Sequence, residues 1–180
     1  MVATRTGGFA GAVEVIAADM PIGPQVPDGE DANGRPRWEA IANGDSGVPR
    51  GREQEIATLL RFISHARIRN TVWLMADVHY CAARYCHPDR AAFQQFEPFW
   101  EFVGGPLNAG SFGPNGLDAT FGPCVVFQKA PPAPNTSPLA GYQFFGEVEI
   151  DGRSGVLTVT LRDLDGVAQF RQPILPHGVA

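Results

Sequence analysis

The stretch Thr71-Val-Trp-Leu-Met-Ala-Asp-Val-His-Tyr80 decides how this chain reads. Its first six residues form a short apolar run that predicts a strand buried on both faces. Asp77 and His79 follow at once, at the strand's carboxyl end. Upstream, Ile56, Leu59, Leu60 and Ile63 recur at i, i+3, i+4 and i+7, one face of an amphipathic helix. Glu53 and Glu55 occupy its first turn and Arg67 and Arg69 follow its end, an arrangement that suits the helix dipole. Further back, residues 12–18, Ala-Val-Glu-Val-Ile-Ala-Ala, predict a second buried strand ending at Asp19. Strand, loop, helix and strand in that order make a βαβ-type crossover, with the two strands parallel in one sheet. The intervening residues 20–50 are rich in proline and glycine and read as a long loop. Loops of that length are usually functional or packed over a site.

Toward the carboxyl terminus the pattern becomes all β. Phe99–Val103 and Val125–Gln128 are short strand candidates separated by a Gly-rich loop. Residues 142–150 and 155–162 predict a hairpin, with Leu157, Val159 and Leu161 alternating against Thr158 and Thr160 and turn residues between the strands. The final residues, with Pro173 and Pro176, read as a loose tail. No repeat or linker divides the chain. The fold class is therefore α/β (α+β) in a single domain: a βαβ crossover followed by β-hairpins.

Composition narrows the function classes. The 180 residues are 44% apolar and 18% charged, with a net charge of −5 and a pI near 5.3. No basic footprint points to nucleic acid or an anionic membrane. No apolar run approaches the roughly 18 residues of a membrane-spanning helix, and the amino terminus lacks the apolar core of a signal peptide. Three cysteines, Cys81, Cys86 and Cys124, are too few for a disulfide framework.

Asp77 and His79 are the first candidates for chemistry. On a continuing strand they point to the same face, with α-carbons about 7 Å apart. They also lie at the carboxyl end of a parallel strand, where open α/β sheets place ligands. A carboxylate and an imidazole there suit hard or borderline metal ions, although Asp-Xaa-His alone equally describes a polar strand end. Asp19 could reach the same crevice. Cys81, Cys86 and His87 suggest a zinc cluster, but their spacing matches no common zinc pattern and buried or incidental thiols are the simpler reading. His65 suits a helix end, His177 falls in the tail, and Asp45 reads equally well as a turn residue. Residues 104–122 carry many glycines without the Gly-Lys-Ser/Thr of a phosphate-binding loop; Asn108 and Asn115 within it are weak candidates for facing a phosphate. Phe93, Phe96, Phe99 and Trp100 read as core.

Longer segments carry a family resemblance. Ile16-Ala-Ala-Asp-Met-Pro-Ile-Gly23, Glu39-Ala-Ile-Ala-Asn-Gly-Asp45, Gly51-Arg-Glu53 and Leu59-Leu-Arg-Phe-Ile63 resemble the C-terminal part of PhoD-like metal-dependent alkaline phosphatases. So do Asn70 to Tyr80, Phe99-Trp-Glu-Phe-Val-Gly-Gly-Pro-Leu-Asn-Ala-Gly-Ser-Phe-Gly-Pro-Asn115, Leu117-Asp-Ala-Thr-Phe-Gly-Pro123 and Phe144-Phe-Gly-Glu-Val-Glu-Ile-Asp-Gly152. The resemblance implies a calcineurin-like metallophosphoesterase architecture, a β-sandwich flanked by helices, that hydrolyses phosphate monoesters or diesters. It implies metal ions, with calcium and iron suggested, that polarise phosphoryl oxygens and deliver an activated water. It makes His79 a metal ligand and Asp77 a ligand or a phosphate-site residue, and it suggests export from the cytoplasm. The family's earlier metal motifs have no counterpart before residue 65. The resemblance therefore also implies a truncated phosphatase, incomplete alone, or a non-catalytic half-domain that needs a partner chain carrying the missing half.

Overall fold

The computed structural model describes residues 13–176. β1 (Glu14–Ala17) pairs in parallel with β4 (Thr71–Met75), so the crossover expected from the sequence is present. Between them lie β2 (Pro27–Glu30), β3 (Pro36–Trp38) and the helix α1 (Glu53–His65). β6 (Phe99–Val103) continues the parallel arrangement on the other side of β4. β5 (Cys81–Cys86) and β7 (Pro123–Lys129) then add antiparallel strands, giving a five-stranded sheet in the order β1-β4-β6-β5-β7. β8 (Phe144–Ile150), β9 (Leu157–Asp163) and β10 (Ala168–Ile174) form a separate antiparallel sheet with β9 at its centre. The molecule is thus mixed α/β, mostly strand, with a single α-helix among the described residues.

Two apolar clusters follow from strand alternation. On one face of the five-stranded sheet, Trp73 and Met75 meet Leu60 and Ile63 of α1 and the aromatic group Phe93, Phe96, Phe99 and Phe121. Three of the four aromatics expected in the core are here; Trp100 is partly buried on the opposite face. That face packs Val72, Ala83 and Phe102 against Phe144, Leu157, Val159, Leu161 and Ile174 of the three-stranded sheet. Thr158 and Thr160 are buried as well, since β9 is central and longer residues flank them in register, Glu149 and Glu147 on β8 and Pro173 and Arg171 on β10.

Three expectations change. Residues 168–174 are not a loose tail; they are β10, paired along β9. Pro173 is tolerated because β10 is an edge strand, where a missing N–H costs no inner ladder bond. Residues 20–50 are not only loop, since β2 and β3 form a hairpin there. Its turn is pinned by Asp31, whose Oδ1 accepts from the backbone of Asn33 and Arg35 and whose carboxyl is held below the usual range by those bonds. And Cys81–Cys86, given no element from the sequence, is an inner strand. No helix is long and apolar enough to cross a membrane among the described residues.

Candidate functional site

The carboxyl ends of β1 and β4 lie side by side. Ala18 N donates to Leu74 O at 3.0 Å and Ala76 N donates to Asp19 O at 2.9 Å, so the segments that carry Asp19 and Asp77 are adjacent. Beyond Met75 the chain does not continue as a strand. Val78 N donates to Ala76 O at 2.8 Å and Asp77 has φ +62°, which together make a γ-turn centred on Asp77 with a positive φ. That conformation is costly for any residue with a β-carbon and is the kind of local strain found at ligand sites. Asp77 and His79 therefore do not share a strand face, and the expected alternation does not set their relation. The turn does, together with the Gly-rich loop.

His79 is half-buried and gripped twice by that loop. Its Nδ1 lies 2.7 Å from Gly110 O, and its own carbonyl accepts from Phe112 N at 3.0 Å. A carbonyl oxygen only accepts, so the proton of the neutral ring sits on Nδ1 and Nε2 keeps its lone pair. The Phe112 ring packs beside the imidazole, centroids 5.8 Å apart. The loop in turn is held from below. Ser111 exchanges backbone bonds with Thr136 at 2.9 and 3.0 Å, and buried Gln143 accepts from Ala109 N while donating to Ala109 O and Ser111 Oγ.

Under this crest runs a buried polar chain that the sequence reading missed. Arg84 and Glu101 are both fully buried and pair at 2.6 Å. Arg84 Nη2 donates to the Tyr80 hydroxyl at 2.6 Å, and Glu101 Oε2 accepts from Ile22 N at 2.7 Å. Burial pushes the Tyr80 phenol up, with the nearby Arg84 guanidinium opposing it. A charged residue in an otherwise apolar strand, as in Phe99-Trp-Glu-Phe-Val103, is the signal that could have found it.

A second clamp shapes residues 39–50. Asp118 Oδ2 accepts from Gly44 N and Ser46 N at 2.8 and 3.2 Å. Glu53 accepts from Asn43 N, Asn43 Nδ2 and Arg50 N at 3.0, 2.7 and 3.0 Å. Asp45 serves as a turn acceptor for Gly47 N at 2.9 Å.

The other candidates separate clearly. Cys81 and Cys86 stand five residues apart on β5 and so enter opposite clusters, which excludes a shared zinc ion. Burial pushes the Cys81 thiol up to about 12 and Cys86 well above the ordinary range, opposite to a metal-binding thiolate. His87 instead caps a short 3₁₀ turn by accepting from Asp89 N at 3.2 Å. His65 is exposed at the end of α1. Asn115 spends its amide on Gln25 O at 3.0 Å, and Asn108 is exposed. His177 lies outside the described residues.

As donors for a metal ion, these residues fit in part. His79 fits: its Nδ1–H is committed to a backbone carbonyl, the bond by which ligating histidines are usually oriented, and this leaves the lone pair on Nε2. The number of ligands falls short, because the described residues contain no group of three or more His, Cys, Asp or Glu placed to hold an ion.

Against known families, residues 10–161 match the PhoD-like phosphatase family. No curated protein and no solved structure matched the chain.

Proposed function

Because the chain belongs to the PhoD-like phosphatase family, we propose that it contributes to metal-dependent hydrolysis of phosphate mono- or diesters, with His79 and Asp77 forming its edge of the metal site. The observation that carries this reading is the 2.7 Å bond from His79 Nδ1 to Gly110 O, which holds the ring and leaves Nε2 with the lone pair a metal ligand needs. Asp77, held in its γ-turn, serves as a further ligand or as a phosphate-side group. Asp19, exposed on the adjacent segment, is a second carboxylate at the same edge. Calcium and iron are the ions the family reading suggests.

The shortage of donors favours a second reading for the isolated chain. With no three-donor group among the described residues, the remaining ligands come from polypeptide outside them, either on the same protein or on a partner chain. In that case the isolated chain is a non-catalytic half-domain.

Hydrolysis of p-nitrophenyl phosphate and its bis ester at alkaline pH, with Ca²⁺, Fe³⁺, Mn²⁺ or Zn²⁺ added, separates the two. Turnover that depends on metal and is lost in His79→Ala establishes a working site within these residues. A folded sample with no turnover under any metal leaves the half-domain, and the search then moves to the chain that completes it.

A further inference from the structure

One buried carboxylate is bonded to one segment of the proposed site and linked through Arg84 to the other. Glu101 Oε2 accepts from Ile22 N, three residues beyond Asp19. Its Oε1 pairs with Arg84, whose other terminal nitrogen donates to the hydroxyl of Tyr80, the neighbour of His79. The Arg84 guanidinium also lies over the Tyr80 ring, 5.4 Å from its centroid. That ring supports the Gly-rich loop directly: a β-carbon on Gly113 would stand 2.5 Å from Tyr80 Cδ1, so only glycine permits the approach. The same loop holds His79 by two bonds: Gly110 O accepts from its Nδ1, and Phe112 N donates to its carbonyl.

We propose that Glu101, acting through Arg84 and Tyr80, is the positioning residue that sets the ring orientation and tautomer of His79. The proposal rests on the reading of His79 as a ligand through Nε2. A buried ion pair is a poor source of net stability compared with apolar packing of the same volume. What it provides here is direction: its bonds tie Ile22, beyond Asp19, to Tyr80, the neighbour of His79. Neither Glu101, Arg84 nor Tyr80 touches the exposed edge, so none of them is assigned a part in the chemistry.

The test reads the ring itself. Long-range ¹H–¹⁵N correlation of the full chain, with His79→Gln to identify the signals, reports which nitrogen of His79 carries the proton. The native protein is expected to show the Nδ1–H form. Tyr80→Phe removes one hydroxyl and keeps the ring against Gly113; it is expected to raise the population of the Nε2–H form roughly fivefold, the scale of one net hydrogen bond. Val159→Ala, on β9 in the other layer, is the control, and it should lower the melting temperature without moving the His79 signals. Should Tyr80→Phe lower the melting temperature while leaving the His79 signals at their native positions, the chain is merely structural and the proposal is overturned. A native spectrum without the Nδ1–H form would instead overturn the ligand reading on which it rests. Glu101→Gln repeats the test one bond further back, and Tyr80→Phe carries it alone if that variant does not fold.

Discussion

The β8–β10 layer and the crest between Ala76 and Asn115 are held together over different lengths of chain. In the layer, Ile150 meets Leu157 across one turn and Asp163 N reaches Val167 O across the next. On the crest, the contacts come from far away: Ala109 from Gln143, 34 positions on, Ile22 from Glu101 at 79, and Asn115 from Gln25 at 90. The layer is apolar alternation repeated, so each side chain contributes independently. The crest is a set of polar bonds that satisfy one another, so losing one partner exposes the rest.

The sharpest way to break this contrast is at the ion pair. Glu101→Ala should lower the unfolding free energy by about 3–5 kcal/mol in urea titrations, since it leaves Arg84 buried and unpaired. Replacing both partners together, Arg84→Met with Glu101→Leu, should recover most of that loss. A double variant no more stable than the single one would mean that packing, and not the stranded charge, is the cause.

Leu161→Ala in the layer should cost about 3 kcal/mol by opening a cavity in a well-packed cluster. A second cavity at a distant position in the same layer should add to it, whereas variants along the crest should fail to add.

Glu53→Gln comes next, at about 1–3 kcal/mol, because three donors reach the two oxygens of Glu53 and an amide nitrogen cannot accept at all, whereas either carboxyl oxygen can. Burial pushes the Glu53 carboxyl above its ordinary 4.5, against the pull of the Arg50 and Asn43 donors. A raised pKa means that the folded state holds the proton more tightly than the unfolded chain. Its contribution is therefore fully present below about 4.5 and is lost as pH rises through the folded value. The stability gap between native protein and Glu53→Gln should be widest near pH 4.5 and narrow toward pH 8. A gap that widens with pH would show that the donors outweigh burial.

The smallest effect is expected at Asp77. Asp77→Gly should leave stability unchanged or raise it by about 0.5 kcal/mol, because glycine takes φ +62° without strain, whereas Asp77→Ala should lose about 1 kcal/mol. Thermal melts of the two variants decide it. If both lose equally, the side chain and not the backbone holds the turn.

The same contrast explains what could be read in advance. α1 and the β8–β9 hairpin announce themselves by period, β1 and β4 as short apolar runs, and the parallel pairing follows from their order. β5 does not: Cys-Ala-Ala-Arg-Tyr-Cys has no alternation to see, because Arg84 sits where an apolar residue would be expected and Glu101 of the neighbouring strand answers it. β10 hid behind Pro173. Of the candidate site, two polar residues at the carboxyl end of β4 were legible and their geometry was not. Asp77 and His79 fall where ligands belong, at the carboxyl end of β4. But a γ-turn leaves no trace in sequence beyond a residue that tolerates positive φ, and the carbonyl that orients His79 is 31 residues away in a loop with no pattern of its own.

The distribution of the three thiols gives the protein a built-in reporter. Cys124 is exposed on edge strand β7, while Cys81 and Cys86 are sealed in opposite layers. A maleimide dye should therefore attach once to the folded protein and three times to the unfolded chain. Intermediate counts would show which layer opens first, because the two hidden sulfurs belong to different sides of the same strand.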